Sequence, residues 1–218
     1  APLEGRWLRL EPLGPVHVAA LHASNRADDR IWDWLSYGPF VSEAAYGDWV
    51  AAALAEVDPM FFALVDRGTG EPGGVASLMR ISPEAGSIEV GHVCLAPRMQ
   101  RSRAASEMVS LFAGLVFGLG YRRFEWKCNA GNLASRRAAQ RFGFSFEGVF
   151  RQAAVFRGRN RDTAWFAMTD GDWRCLGPAH AAWLAPENFD AGGVQKTRMG
   201  DLTGPCRVAD DPALGADR

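Results

Sequence analysis

The stretch that decides the fold begins Ser87-Ile88-Glu89-Val90-Gly91-His92-Val93-Cys94-Leu95-Ala96-Pro97, continues Arg98-Met99-Gln100-Arg101-Ser102-Arg103-Ala104-Ala105, and runs on to Gly120. Apolar and β-branched residues over 88–95 predict a strand, and Pro97, which cannot donate to a sheet ladder, ends it. Apolar residues then recur at helical spacing up to Leu119, and Gly120 suits a helix end. A strand, a polar turn and a buried helix therefore follow one another without a break.

The polar turn of this stretch is predicted to bind an anion. The first backbone N–H groups of a helix have no partner inside it, and the helix dipole adds partial positive charge at the same end. A phosphate group is the anion that suits such a turn best.

Composition predicts a folded protein without a charged surface field. The chain has 218 residues, of which 48% are hydrophobic, and its 24 basic and 25 acidic residues give a net charge of −1. This balance favours neither a nucleic-acid nor a membrane partner. The longest apolar run, 111–119, is far shorter than the roughly 20 residues that span a bilayer, and no basic-then-apolar leader precedes the first strand. We therefore expect a cytoplasmic protein.

The cysteines predict neither a disulfide nor a metal site. They are far apart and show no paired spacing. Free thiols, mostly in the core, are expected at Cys94, Cys128, Cys175 and Cys206.

The order of the predicted elements indicates a mixed α/β (α+β) fold, with a mostly antiparallel central sheet of about seven strands flanked by helices. Consecutive strands joined by short turns imply a meander before the central helix. We expect one domain over 1–187, and a strap or partly disordered tail over 188–218, which is rich in Gly, Asp and Pro. Strands are predicted over 6–12, 60–65, 75–81, 88–95, 122–128, 146–156 and 162–168, and helices over 15–25, 44–57, 105–119, 132–142 and 172–184.

Two further segments leave alternatives open. The segment 31–40 contains four aromatic residues, which suit either a core staple or the wall of a ligand site. The arginines of 157–161 suggest RNA when taken alone, but a solvated basic turn at the tip of a hairpin is the favoured interpretation, because no second basic patch accompanies them.

The element order, together with two motifs, resembles the GNAT superfamily of acetyl-CoA-dependent N-acetyltransferases. Within it, the chain is most similar to the Rim-type branch, which contains ribosomal-protein N-terminal alanine acetyltransferases. The resemblance covers about 6–183. The segments that support it are 93–97 with 100–105, then Asn132-Leu133-Ala134-Ser135-Arg136-Arg137-Ala138-Ala139-Gln140-Arg141-Phe142-Gly143-Phe144, and Glu147-Gly148.

The resemblance implies acetyl-CoA as the co-substrate and no metal. The end of the strand would lend backbone groups to the pantetheine arm, and the turn after it would cradle the pyrophosphate. Asn132 would contact the pantetheine arm. Arg136 and Arg137 are unfavourable near the positive end of their helix unless an anion is nearby, so one of them is expected to meet a phosphate. The implied cofactor-binding residues are Val93, Cys94, Leu95, Gln100, Arg101, Ser102, Arg103, Ala104, Ala105, Asn132, Ser135 and Arg137.

One residue departs from the pattern of the superfamily. Arg103 stands where the turn usually has its first Gly, and a side chain there restricts the backbone. If the backbone is helical at this point, the arginine costs little, and its guanidinium can add a contact to the pyrophosphate.

Acetyl transfer from a thioester to an amine needs a base for the amine and an acid for the leaving thiolate. Glu89 is the candidate base, directly or through a water, and strand alternation places it on one face with Gly91 and opposite His92 unless a bulge intervenes. The alternative for Glu89 is a solvent-facing position. Ser135 is the candidate acid; the alternative for Ser135 and Asn132 is that they only cap their helix.

The expected activity is direct acetyl transfer in a ternary complex to a primary amine, either a protein or peptide N-terminus or a small molecule. A covalent acetyl-cysteine is not expected, since Cys94 and Cys128 have no evident base beside them. The alternative is a non-catalytic acetyl-CoA-binding sensor, and a homodimer is left open. The acceptor amine is expected against Trp32, Trp34 and Tyr37.

Overall fold

The computed structural model describes residues 1–215 of the chain. By their internal contacts they form two compact units. The first contains Ala1–Ile81 and Glu89–Phe112, and the second contains Ser82–Ile88 and the chain from Ala113 onward.

The first unit is built on a meander whose first four strands pair antiparallel. Alternation in the second strand buries Leu8 and Leu10, and the register sets Leu10 opposite Leu64. The strands are β1 (Leu3–Glu4), β2 (Leu8–Pro12), β3 (Met60–Asp66), β4 (Pro72–Ser82) and β5 (Ser87–Leu95), adjacent in that order.

Two helices belong wholly to the first unit, and a third begins there. α1 (Val18–Asn25) follows a short 3-10 turn. α2 (Glu43–Ala55) is capped by Ser42, whose hydroxyl accepts from the amide of Ala45 at 3.1 Å. α3 (Arg103–Gly118) starts two residues earlier than predicted. α1 and α2 pack on an aromatic cluster that includes Trp32, Tyr46 and Phe61.

The second unit has three antiparallel strands and three helices. Its sheet order is β6 (Arg123–Asn129), β8 (Arg159–Thr169) and β7 (Ser145–Phe156). The predicted alternation of β6 is confirmed, since Phe124, Trp126 and Cys128 are buried in turn. The helices are α4 (Leu133–Arg141), α5 (Asp170–Leu184) and α6 (Met199–Thr203).

The predicted fold class is confirmed as a mixed α/β fold with mostly antiparallel strands. The described residues form eight strands rather than about seven. The additional strand, β1, has only two residues, which is too short for any alternation to show in the sequence.

The prediction of four free thiols is wrong for one pair. Cys175 in α5 and Cys206 form a disulfide with Cα atoms 5.7 Å apart, whereas Cys94 and Cys128 are free and buried. The two bonded residues are 31 positions apart, and a single separation of that length has no diagnostic spacing.

The predicted division between residues 187 and 188 stays a prediction. Within the second unit, we use the name strap from here on for residues 199–214 alone. The strap contains α6 and two short 3-10 turns, Gly204–Cys206 and Pro212–Leu214. The strap hydrogen bonds to α4 and to the start of β7, for example from the amide of Phe146 to the carbonyl of Ala209 at 3.1 Å. Residues 216–218, the end of the predicted tail, lie outside the described residues.

A buried carboxylate that sequence reasoning missed holds the edge of the first unit. Glu107, in α3, is 5% exposed and accepts from the amides of Arg6, Trp7 and Leu8 at 2.7 to 2.8 Å. A Cβ atom at Gly5 would lie 2.4 Å from the same carboxyl group. α3 and the start of β2 are therefore joined by a charge that is satisfied by backbone donors.

No helix in the described part of the chain is both long enough and apolar enough to cross a membrane.

Glu107→Ala is expected to lower the free energy of unfolding by about 3 kcal/mol, because the buried amide of Leu8 and the part-buried amides of Arg6 and Trp7 all lose their acceptor. Urea unfolding followed by circular dichroism measures this. The control is Glu56→Ala at an exposed position, expected to change stability by less than ~0.5 kcal/mol. Equal losses for the two variants would show that the three contacts contribute nothing.

Candidate active site

The candidate base Glu89 lies in β5 and is only 3% exposed. Its carboxylate accepts from the guanidinium of Arg80 at 2.7 Å, while the Arg80 side chain is itself 60% exposed. Arg80 has a left-handed backbone (φ 48°), and its amide donates to Asp58 at 2.9 Å. Asp58 thus anchors a bend in β4, and this bend places the guanidinium of Arg80 against the carboxylate of Glu89. The alternative of a solvent-facing Glu89 is wrong.

A second bend, in β5, changes which residues share the face of Glu89. His92 is left-handed (φ 52°), and its ring lies 5.1 Å from that of Phe61. A Cβ atom at Gly91 would lie 3.7 Å from the hydroxyl of Ser77, which pairs with Phe61 in the register of β3 and β4. Gly91 and His92 therefore point to one face, and Glu89 shares it by alternation. The expected position of His92 on the opposite face is wrong, because the bend shifts the parity.

His92 is held neutral at this face. Burial, and then the nearby positive charge of Arg80, lower the pKa of His92 below its ordinary value. Its ring stacks on Tyr37 at 5.6 Å between centroids, with an interplanar angle of 16°. His92 thus packs as an uncharged aromatic ring against Tyr37 and Phe61.

The structure separates the three residues expected to contact the acceptor. Trp32 is 4% exposed and belongs to the aromatic core, and Trp34 is 45% exposed. Tyr37 is intermediate in exposure, and its ring contacts His92. Its hydroxyl is buried without a hydrogen-bond partner in the described chain, and burial raises the pKa of Tyr37. The segment therefore belongs in part to the aromatic core, and its role as the wall of a ligand site stays a prediction.

The turn after β5 enters α3 through two residues with separate tasks. Arg101 takes the left-handed conformation (φ 58°) that a Gly often supplies in such turns. The hydroxyl of Ser102 then caps α3 by accepting from the amide of Ala105 at 3.0 Å. Arg103 is the first residue of the helix, so a side chain there needs no unusual backbone. Its guanidinium lies 4.0 Å from the centre of the Trp7 ring.

Gln100 joins the turn back to the strand. Its side-chain amide donates to the carbonyl of Leu95, the last residue of β5, at 3.0 Å. A carbonyl oxygen has two lone pairs, so Leu95 keeps one for another donor. Gln100 thus aligns the end of the strand with the start of the helix.

In the second unit, Asn132 and Ser135 form the first turn of α4. The Asn132 side chain accepts from the amide of Ser135 at 3.0 Å, which confirms it as the N-cap. The Ser135 hydroxyl accepts from the indole N–H of Trp126 at 3.0 Å. Burial raises the pKa of Cys128, and a hydrogen bond with Ser135 opposes that rise. Sequence reasoning missed Trp126 as the partner of Ser135, since its alternation indicated only a core residue.

The two arginines of α4 differ in their surroundings. Arg136 is 5% exposed, and its guanidinium forms two hydrogen bonds with the carboxylate of Asp211, at 2.5 and 2.6 Å. Arg137 is exposed. A protein carboxylate therefore compensates Arg136 near the positive end of the helix, while the charge of Arg137 faces solvent.

Comparison with known proteins identifies the family to which the chain belongs. Residues 8–145 match the family model described as an acetyltransferase (GNAT) domain. The chain belongs to the GNAT acetyltransferases. No curated protein matches it. Among solved structures, it is similar to a GCN5-related N-acetyltransferase from Brucella melitensis, with 45% identity, 94% of each chain covered and a TM-score of 0.91.

Two more solved structures extend the comparison. A probable GNAT-family acetyltransferase from Chromobacterium violaceum is 41% identical, with 80% of this chain and 88% of that chain covered and a TM-score of 0.76. A structure named RimL, a ribosomal L7/L12 alpha-N-protein acetyltransferase, is 23% identical over 78% of this chain and 94% of that chain, with a TM-score of 0.67. At this identity, the last shows the common fold.

The turn into α3 suits the pyrophosphate of the acetyl-CoA that GNAT enzymes use. The turn offers the positive end of a 16-residue helix, and the exposed side chain of Arg101 adds a cation. A capped helix end with a cation beside it is a suitable donor set for a diphosphate. No group of three or more His, Cys, Asp or Glu side chains that could hold a metal ion lies within residues 1–215.

Neither free cysteine of this GNAT enzyme has the surroundings of a nucleophile. Burial raises the pKa of the Cys94 thiol to about 12, so it is protonated at neutral pH. Cys128 is also buried, with its pKa raised for the same reason. A thiol that stays protonated attacks a thioester poorly.

Cys94→Ala and Cys128→Ala are expected to leave kcat for acetyl transfer unchanged, because a buried thiol with a raised pKa is not expected to form a covalent intermediate. Intact-mass spectrometry of the wild-type protein after incubation with acetyl-CoA, without an acceptor, should show no added acetyl group. An acetyl group mapped to either cysteine, with loss of turnover in the matching variant, would establish the covalent route instead.

Proposed function

We propose that the protein transfers the acetyl group of acetyl-CoA to a primary amine by direct attack in a ternary complex. The observation that supports this best is the buried carboxylate of Glu89, on the strand that leads directly into the capped start of α3. The base and the anion-binding turn are thus parts of one continuous segment. A protein or peptide N-terminus and a small-molecule amine are both acceptors of this class.

Glu89 has the role of general base, directly or through one water. An amine attacks only as the free base, so the carboxylate must accept the proton of the ammonium group or of the attacking amine. Arg80 fixes the direction of the carboxylate through the bond of 2.7 Å. The neutral ring of His92 on the same face adds no positive charge that would repel an ammonium group.

Ser135 has the role of proton donor to the leaving thiolate. A hydroxyl whose oxygen already accepts a hydrogen bond becomes a better donor of its own proton, since chains of hydrogen bonds polarise one another. Trp126 supplies that bond. We assign Asn132 to the pantetheine arm, as the resemblance implies. We assign the exposed Arg137 to a phosphate, because a cation near the positive end of a helix is favourable only with an anion nearby.

The remaining cofactor contacts are assigned to the strand end and the turn. Val93, Cys94 and Leu95 would bind the pantetheine arm through backbone groups, which leaves the buried Cys94 side chain in the core. The residues 101–105 would bind the pyrophosphate. Gln100 would act by aligning the two segments.

Acceptor choice is assigned to the aromatic segment. Tyr37 has a buried hydroxyl without a partner, and Trp34 is exposed, so both have groups to offer an acceptor, whereas Trp32 supports them from the core. We retain the Rim-type branch as part of this proposal on the motifs of the sequence. A cytoplasmic location and a monomer or homodimer complete it, with no nucleic-acid or membrane partner.

The second candidate function is a non-catalytic sensor that binds acetyl-CoA. The observation that favours it is the ion pair between Arg80 and Glu89, which occupies one oxygen of the candidate base. A sensor would bind acetyl-CoA without turnover for any amine.

Glu89→Gln is expected to lower kcat by about 10²- to 10⁴-fold, the usual contribution of a general base. The dissociation constant for acetyl-CoA should stay the same. Release of free CoA thiol with a panel of peptide and small amines measures kcat, and titration calorimetry measures binding. The matched control is Glu84→Gln, at an exposed position. Full activity of Glu89→Gln would exclude Glu89 as the base, and binding without turnover of the wild type across the panel would favour the sensor.

A further inference from the structure

The strap is joined to α4 through a buried ion pair. The carboxylate of Asp211 is 1% exposed and receives two hydrogen bonds from the guanidinium of Arg136, at 2.5 and 2.6 Å. The backbone amide of Asp211 donates to the side chain of Gln140 at 2.7 Å. α4 therefore holds Asp211 through both its side chain and its backbone, and the carboxylate also accepts from the amide of Ala213 in the strap at 3.0 Å.

Arg136 also hydrogen bonds to the turn that precedes α4 and so connects that turn to Asp211. Its third nitrogen donates to the carbonyl of Ala130 at 2.8 Å, and its amide donates to the carbonyl of Asn132 at 3.0 Å. Asn132 in turn caps the amide of Ser135. One guanidinium thus connects the strap, the turn after β6 and the first turn of α4.

Stability alone does not account for this pair. A cation near the N-terminal end of a helix is unfavourable, and a buried ion pair is often no more stabilising than apolar residues of similar size. What a bidentate arginine–carboxylate pair provides is a defined direction for both planar groups. The residue whose direction this pair defines, Arg136, directly follows Ser135 in the sequence.

We propose that Asp211 is a positioning residue for acetyl transfer: through Arg136, it holds the 130–135 turn so that Asn132 and Ser135 keep the orientation their roles need. This inference rests on the proposed function of those two residues. It assigns a task to the strap, a segment outside the matched domain of residues 8–145.

The strap has other anchors, so loss of the ion pair does not detach it. The Thr203 hydroxyl donates to the carbonyl of Arg141 at 2.9 Å, and the amide of Val208 donates to the hydroxyl of Ser145 at 3.0 Å. The disulfide between Cys175 and Cys206 adds a covalent link to α5. A variant at Asp211 therefore tests the position of the turn rather than the presence of the strap.

The test compares Asp211→Asn with Asp210→Asn in the full chain. Asp210 is the neighbouring acid; its side chain is 65% exposed and pairs with Arg207 of the strap, whose side chain is 10% exposed. We expect Asp211→Asn to lower kcat and to raise both KM and the dissociation constant for acetyl-CoA, with kcat/KM down by about 10- to 100-fold, the scale of a small misplacement of reacting groups. KM for the amine should not change. Asp210→Asn should match the wild type.

Hydrogen exchange supplies a readout that does not depend on turnover. The amides of 130–135 should exchange faster in Asp211→Asn than in the wild type, while those of β2 and β3 stay unchanged. Asp211→Glu, which keeps the charge, should recover part of the lost activity. If Asp211→Asn does not fold, Arg136→Lys, which keeps the charge but loses the planar fork, should give the same kinetic pattern.

Three outcomes separate the explanations. A lower melting temperature with unchanged kinetic constants and unchanged exchange at 130–135 would overturn the positioning role. Faster exchange at 130–135 with unchanged constants for acetyl-CoA would overturn it as well, since the turn would then not need its position. A wild type that shows neither turnover nor acetyl-CoA binding would overturn the proposed function itself, and with it the assignment.

Discussion

The cost of burying a charge is the constraint that organises this structure. An isolated carboxylate taken out of water loses several kcal/mol of hydration, so every buried acid must be given donors. Glu107 meets this requirement with three backbone amides, Asp211 with a bidentate guanidinium and Glu89 with the side chain of Arg80. Two of these carboxylates connect elements of the fold: Glu107 connects α3 to the start of β2, and Asp211 connects the strap to α4. Glu89 lies on β5, the strand that leads to the turn at the start of α3.

The connection from β5 to α3 shows how a short polar turn serves both fold and chemistry. Arg101 makes the left-handed step, Ser102 caps the helix, and Arg103 can then be an ordinary first helical residue. The missing Gly of the superfamily pattern is therefore of little consequence for the backbone, because the left-handed step lies two residues earlier. Its consequence is a cation that rests on Trp7 at the start of the helix.

Much of this architecture could be predicted from periodicity. The strands and the five longer helices fall within a few residues of expectation, because hydrophobic alternation, Ser42, Asn132 and the glycines at helix ends are local signals. The bend at His92 could not be predicted, since nothing in its neighbours marks a non-glycine residue for the left-handed region. The partners of the site were missed for a related reason. Arg80, Trp126 and Asp211 meet their targets only after the chain has folded back, and the pairing of Cys175 with Cys206 is of the same kind.

The exposure of Arg80 and of Arg136 distinguishes the proposed base, Glu89, from the proposed positioning residue, Asp211. Arg136 and Asp211 are both buried, so parting them would leave an uncompensated charge and cost ~3 to 5 kcal/mol. Arg80 is 60% exposed, so water can solvate its cation when the pair parts, and the cost then falls on the buried carboxylate of Glu89 unless another cation replaces Arg80. Glu89 can therefore exchange its bond with Arg80 for one with an ammonium group during a catalytic cycle. The same exchange is unfavourable for Asp211, because both members of its ion pair are buried. That pair is suited to holding α4 in place. The ion pair that favours a sensor is thus compatible with a base, because its exposed half is the half that must move.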